Sequence, residues 1–181
     1  MLVRISMPSL NTSPQTSQRG FTLLEILIAV MVLSLGLLGI AGMQLSGTRH
    51  TYDAYLHSMA LVQAQDMADR IRANIEGMRD GDYNAISSTP ADPGCAASGC
   101  TTAEMATYDA FRWNTDNAAL LPSGAGAVTC TDVNATTTTM DIGSSCTITV
   151  RWDASRNGAT GTGCNPADAA DLRCVRLSIV P

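Results

Sequence analysis

From Ile26 to about Met43 the chain is apolar, broken only by Ser34 and a few glycines; counted from Phe21 the stretch is roughly 23 residues, or about 34 Å as a helix. That is long enough to cross a bilayer. Within its first turn lies Glu25, and a carboxylate at the centre of a membrane helix costs on the order of 2.5–3.5 kcal/mol, less near the interface. An acid kept there needs a reason. The flanks are also unusual for a secretory signal, whose short apolar core is followed by a small-x-small cleavage site. Here Arg4 and Arg19 precede a long core, and Gly20 stands at its front edge. The pattern is one of cleavage ahead of the apolar segment, which would then remain as the mature N-terminus.

Gly20-Phe21-Thr22-Leu23-Leu24-Glu25-Ile26-Leu27 resembles the prepilin motif of type IV pilins and type II secretion pseudopilins. The resemblance implies that prepilin peptidase cuts between Gly20 and Phe21 on the cytoplasmic side and methylates the new amine of Phe21. Glu25 becomes the fifth mature residue, which in the family pairs with the N-terminal amine of a neighbouring subunit during assembly. An acid and an ammonium, each costly alone in lipid, are tolerable as a pair. The stretch from Met59 to Asn74 resembles the second half of the N-terminal helix in PilV-type minor pilins, the type IV pilus modification proteins. Trp113, Leu121-Pro122, Gly124-Ala125-Gly126, the Thr149-Val150-Arg151-Trp152 strand and a C-terminal strand ending in Pro181 are similar to the same group. The sequence departs from a common pilin pattern at Gly42, where many members carry proline.

The rest of the chain is consistent with one helix and one small domain. Its 181 residues give room for a leader (1–20), the apolar half of a helix (21–43), an amphipathic half (44–78) and a domain of roughly 100 residues (79–181). Tyr52, Leu56, Met59, Ala60, Met67, Ile71, Ile75 and Met78 recur at three- and four-residue spacings, and no proline interrupts Phe21 to Met78, so the helix is expected to run to about Gly77. Asp66, Asp69, Arg70, Arg72 and Glu76 lie mostly off that stripe and predict a solvated face with weak local ion pairs. Gly36, Gly39, Gly42 and Gly47 punctuate the middle, either as a segment that bends in a filament or as a surface for close helix packing.

Arg79 to Thr102 is rich in turn-forming residues and predicts a loop. Thr101-Thr102-Ala103-Glu104 fits a capping box, opening a second helix to about Leu121 with Tyr108, Phe111 and Leu120 as buried candidates. Beyond it the period changes to two. Cys146, Ile148, Val150 and Trp152 alternate with Thr147, Thr149 and Arg151; Val175, Leu177 and Ile179 repeat the signal, and Ala127 to Val133 is a weaker strand. Three antiparallel strands laid across the helix make the expected α+β fold, a pilin-like long N-terminal transmembrane helix packed on a small antiparallel sheet domain.

Cys95, Cys100, Cys130, Cys146, Cys164 and Cys174 all lie beyond the apolar span, which places them in an oxidising compartment if the C-terminal side is periplasmic. Six cysteines allow fifteen pairings. Local pairing is the economical choice: Cys95 with Cys100, Cys130 with Cys146, Cys164 with Cys174. Metal binding is disfavoured, because paired C-x-x-C spacing and nearby histidines are lacking.

Function classes narrow accordingly. All eleven basic residues are arginine; removal of the leader leaves nine against sixteen acids, a net charge of −7. So acidic a chain is a poor phosphate-backbone binder unless its arginines cluster. His50 and His57 have no nucleophile at a recognisable spacing, and Gly158, Gly161 and Gly163 match neither glycine fingerprint, reading instead as a flexible connection before Cys164. Nothing supports an active site or a cofactor. The expected protein is a non-enzymatic minor pilin anchored once in the bacterial inner membrane, its C-terminal domain periplasmic, assembled into a type IV pilus. Its implied partners are prepilin peptidase and other major and minor pilins, with roles in pilus initiation and hence in adhesion and twitching motility. The alternatives are a minor pseudopilin of a type II secretion system, a pilus-tip adhesin using a loop such as Asp80 to Thr102, and a soluble protein cleaved after Ala41.

Overall fold

The computed structural model describes residues 20–134, 136–137 and 139–180; the leader readings at Arg4 and Arg19, part of the threonine run at Thr138 and the terminal Pro181 lie outside the described residues. Contacts divide the chain into two units, one ending at Ser46 and the other running from Gly47 to Pro181. Helix α1, Leu23–Ala73, is 51 residues long. Up to Tyr55 every described residue of it is exposed, and the glycines at 36, 39, 42 and 47 are helical with open space where a Cβ would sit.

From Leu56 onward the helix buries Leu56, Ala60, Gln63, Ala64, Met67, Ala68 and Ile71, the spacing of an amphipathic stripe. Two stripe members were misplaced by periodicity. Tyr52 is exposed, stacking beneath Arg156 at 5.4 Å and accepting its Nη2–H at 2.5 Å. Ile75 is exposed because the helix does not continue to Gly77. Asn74 leaves helical geometry (φ −117°, ψ 59°) and spends its side chain on the neighbours. Its Nδ2 donates to the Thr102 carbonyl at 2.8 Å and to the Tyr83 hydroxyl at 3.2 Å, while Oδ1 accepts from the Gly77 N–H at 3.4 Å. A side chain that competes for backbone groups in this way ends a helix. A five-residue helix α2, Ile75–Arg79, follows on a new phase and buries Met78.

The segment after α2 is not a free loop. Tyr83 is fully buried in the core, and Asn84 and Ile86 lie along the edge of the sheet, where the Ile86 carbonyl accepts from Val128 N at 2.8 Å and Asn84 Oδ1 from Cys130 N at 3.1 Å. After the short α3, Cys95–Ser98, helix α4 spans Thr102–Leu120. It opens with the expected capping box: Thr101 Oγ1 accepts from Glu104 N, and Glu104 Oε2 accepts from Thr101 N at 2.9 Å.

The buried face of α4 differs from the apolar candidates. Ala106, Asp109, Ala110, Trp113, Asn114 and Asn117 face inward, Tyr108 and Phe111 are half-buried, and Leu120 is exposed. Three of the inward residues are polar, and two of them have buried partners. The Tyr83 hydroxyl donates to Asp109 Oδ2 at 2.6 Å, and Arg70 Nη1 donates to Asp109 Oδ1 at 3.1 Å while its Nε donates to Asp66 at 2.8 Å. Asn114 Oδ1 accepts from Gly126 N at 2.7 Å. Arg70 is therefore a tie between α1 and α4 and not only a member of a solvated face, whereas Arg72 with Asp69 is a surface pair at 2.8 Å.

Strands β1 (Ala125–Thr131), β2 (Ser145–Trp152) and β3 (Arg173–Ile179) form one antiparallel sheet in the order β1-β2-β3. The register places Val128 opposite Ile148 and Ile148 opposite Leu177, with Cys146 flanked by Cys130 and Ile179. These inward residues close one core with the α1 stripe, Tyr83 and Trp113. Trp113 Nε1 donates to the Gln63 carbonyl at 2.8 Å, and its ring lies so close to β1 that a Cβ at Gly126 would sit 2.2 Å from it. Glycine is required there by contact.

The three disulfides are Cys95–Cys100, Cys130–Cys146 and Cys164–Cys174, and no described cysteine is free. Cys130 and Cys146 face each other directly across β1 and β2. In the glycine-rich stretch before Cys164, Gly161 pairs with Asp171, and Asp171 carboxylate oxygens accept from Gly163 N at 3.3 Å and Asn165 N at 3.0 Å.

Candidate functional site

The sequence places the site at the start of α1, and its local geometry follows from one spacing. Thr22 sits just outside the helix, and its Oγ1 accepts from Glu25 N at 3.3 Å, while its carbonyl accepts from Glu25 N at 3.1 Å and Ile26 N at 3.3 Å. This is a threonine cap three residues ahead of an acid, the same pattern as at Thr101, and its Thr-x-x-Glu signal is visible in the sequence. The cap fixes where the helix begins. Gly20 and Phe21 are left outside it, non-helical and exposed.

Glu25 is thereby held in the first helical turn, where unsatisfied N–H groups favour a negative charge. It forms no ion pair with a described residue. Beyond it, Leu23 to Leu45 present large exposed side chains on every side of the helix, with Phe21 77% and Leu38 70% accessible. The only hydroxyl inside the apolar run is satisfied internally, Ser34 Oγ donating to the Val30 carbonyl at 2.7 Å. A polar group that bonds within its own helix costs little in hydrocarbon. Among the described residues, α1 is the one helix long and apolar enough to cross a membrane.

The histidines do not converge on chemistry. His50 is exposed, and His57 meets Trp152 edge-on at 6.1 Å beside a cavity of about 420 Å³ that Asp53 and Arg173 also line. Among the described residues no cluster of three His, Cys, Asp or Glu side chains is placed to hold a metal ion.

The described residues thus combine a long helix, apolar and exposed through its first half, with a small disulfide-bonded α+β domain. Comparison with family models agrees along two adjoining stretches. Residues 15–41 match the prokaryotic N-terminal methylation motif, and residues 42–111 match the family of type IV pilin Tt1218. The chain is a type IV pilin-like protein. No curated protein and no solved structure matches it.

Proposed function

We propose that the chain is a minor pilin of the PilV type, made as a prepilin, cleaved between Gly20 and Phe21 by prepilin peptidase, N-methylated at Phe21 and assembled with other pilins. The bacterial inner membrane holds it before assembly, with the domain from Arg79 onward on the periplasmic side. The carrying observation is that the methylation motif coincides with a capped, solvent-exposed helix start: Thr22 begins the helix, leaves the Gly20–Phe21 bond outside it and sets Glu25 one turn in. In the membrane the apolar half is satisfied by lipid. In a filament the same surface is covered by neighbouring helices, and Glu25 is matched by the Phe21 ammonium of an adjacent subunit, which sets the register. The stretch from Met59 to Asn74 supports the PilV assignment, and nothing in the mechanism calls for catalysis by this chain.

The test is the mass and N-terminal sequence of the mature protein from membranes of its native host. A chain beginning at N-methyl-Phe21 is expected; one beginning at Gly42 would overturn the reading. Deletion should then abolish or reduce surface pili and leave type II secretion intact, the reverse pattern marking a pseudopilin. Glu25→Ala should still be processed but fail to enter filaments.

A further inference from the structure

The face of the sheet turned away from the core carries a charge arrangement the rest of the molecule leaves unanswered. Along β2, Cys146, Ile148, Val150 and Trp152 face the core, so Thr147, Thr149 and Arg151 face outward. The register sets Arg176 opposite Thr149 and Cys174 opposite Arg151, which makes Arg151 and Arg176 diagonal neighbours on that outer face. Arg176 is exposed, while Arg151 is partly buried and its Nε is closed off from water with no hydrogen-bond partner. Neither forms an ion pair with any described carboxylate. Burial, and then the charge of Arg176, lower the pKa of Arg151. Beside them lie the buried Thr149 and a hydroxyl pair, Thr147 Oγ1 with Ser178 Oγ at 3.2 Å.

Two like charges laid against one another, one of them half out of water, are unfavourable unless an anion is shared between them. Among the described residues no carboxylate supplies that anion, although the chain is acidic overall, with sixteen Asp and Glu against eleven Arg. We propose that the outer face of β2 and β3, through Arg151 and Arg176, is a docking site for an acidic segment of a partner protein that brings two or more carboxylates. Guanidinium forks bind carboxylates bidentately, and the flanking hydroxyls supply the remaining donors and acceptors. A duplex or a long polyanion fits less well. It needs a stripe of cations to displace its counterions, and here two arginines sit on a chain of net charge −5 whose long-range field repels it. This docking is independent of whether the processed chain enters a filament.

The experiment uses the full chain in nanodiscs of zwitterionic lipid, with a fluorescent hexaglutamate peptide as probe and hexaglutamine as control. Hexaglutamate is expected to bind saturably and hexaglutamine not at all, with binding weakened as salt is raised. Arg176→Gln, a surface change, should weaken binding by about tenfold, as should Arg151→Gln, a loss of about 1.4 kcal/mol in each case. Arg112→Gln on the exposed side of α4 should leave it unchanged. Absence of saturable binding, or equal binding by wild type and Arg176→Gln, would overturn the proposal. Tighter binding of a DNA duplex or a heparin oligosaccharide than of hexaglutamate would overturn it too, assigning the face to polyanions.

Discussion

The two halves of α1 belong to one uninterrupted helix and meet opposite fates. Leu23 to Ser46 is almost wholly apolar and buries nothing, whereas Leu56 to Ile71 holds Gln63, Asp66, Asp69 and Arg70 and yet supplies the domain with much of its core. Apolar content alone therefore does not place a helix inside a protein. A helix that is apolar all round has no preferred face for a sheet, and suits a solvent that surrounds it, such as lipid or a ring of other helices. A helix that is apolar on one stripe fits one sheet face and exposes the rest. The polar residues of the second half are what make it a core helix.

Changes on either side of this divide should separate cleanly. Trp113→Ala removes the largest fully buried side chain, together with its bond to the Gln63 carbonyl, and should cost about 3–5 kcal/mol. Leu33→Ala in the exposed half should leave the unfolding midpoint of the domain where it was. Thermal or denaturant unfolding of the full chain in a membrane mimetic, followed by near-ultraviolet dichroism, reads both, and equal losses would erase the distinction.

Next in size is the cross-strand disulfide. Replacing Cys130 and Cys146 together with serine reopens a loop of 16 residues and should lower stability by about 3 kcal/mol in the chain-entropy account. Filament or lipid packing of the first half should not feel it. Intact helix protection by hydrogen exchange across Leu23 to Ser46 in that variant, alongside a lowered domain midpoint, is the expected pair of results.

The buried polar tie gives a pH signature confined to the domain. Burial pushes the Tyr83 hydroxyl above the ordinary tyrosine range, reinforced by its bond to Asp109. Because the folded value is the raised one, the stability it contributes is complete below about pH 10 and is lost as the pH climbs toward the folded value. Tyr83→Phe should be less stable at neutral pH and show a shallower alkaline decline. Identical alkaline curves for the two proteins would remove Tyr83 from that role.

The smallest change tests the first half. Gly39→Ala meets no atom within 4 Å and should raise local helix stability by at most about 1 kcal/mol. Slower amide exchange around residue 39 in nanodiscs is expected. If filament assembly then fails, the glycines serve bending or close packing between helices, and the comparison of the two halves gains a functional edge.

Much of the local structure was legible because its signals are short. Thr101 and Glu104 are three residues apart and a cap acts within one turn, whereas the same spacing at Thr22 and Glu25 was not read as a cap. Alternation in β2 and β3 needs no more than a strand's length, and the three cysteine pairs are separated by 5, 16 and 10 residues. The stripe from Leu56 to Ile71 was readable for the same reason. The errors fell where a residue's environment comes from far away. Nothing local marks Asp109 as buried, because its partners Tyr83 and Arg70 lie 26 and 39 residues away in sequence. Periodicity carried the stripe through Ile75 because it cannot see Asn74 reaching for the Thr102 carbonyl.

What the sequence by itself determined, then, is the apolar span and its amphipathic continuation in α1, the capped start of α4, and the alternation of β2 and β3. Those follow from propensity, capping and period, all local and additive. Only the tertiary structure decided which polar groups would be buried, why Gly126 lies beneath Trp113, and that Gly161 and Gly163 are met by Asp171. A buried polar group is tolerated only when its partners arrive, and a glycine is demanded only when another chain segment comes close. Both conditions exist only once the elements have packed.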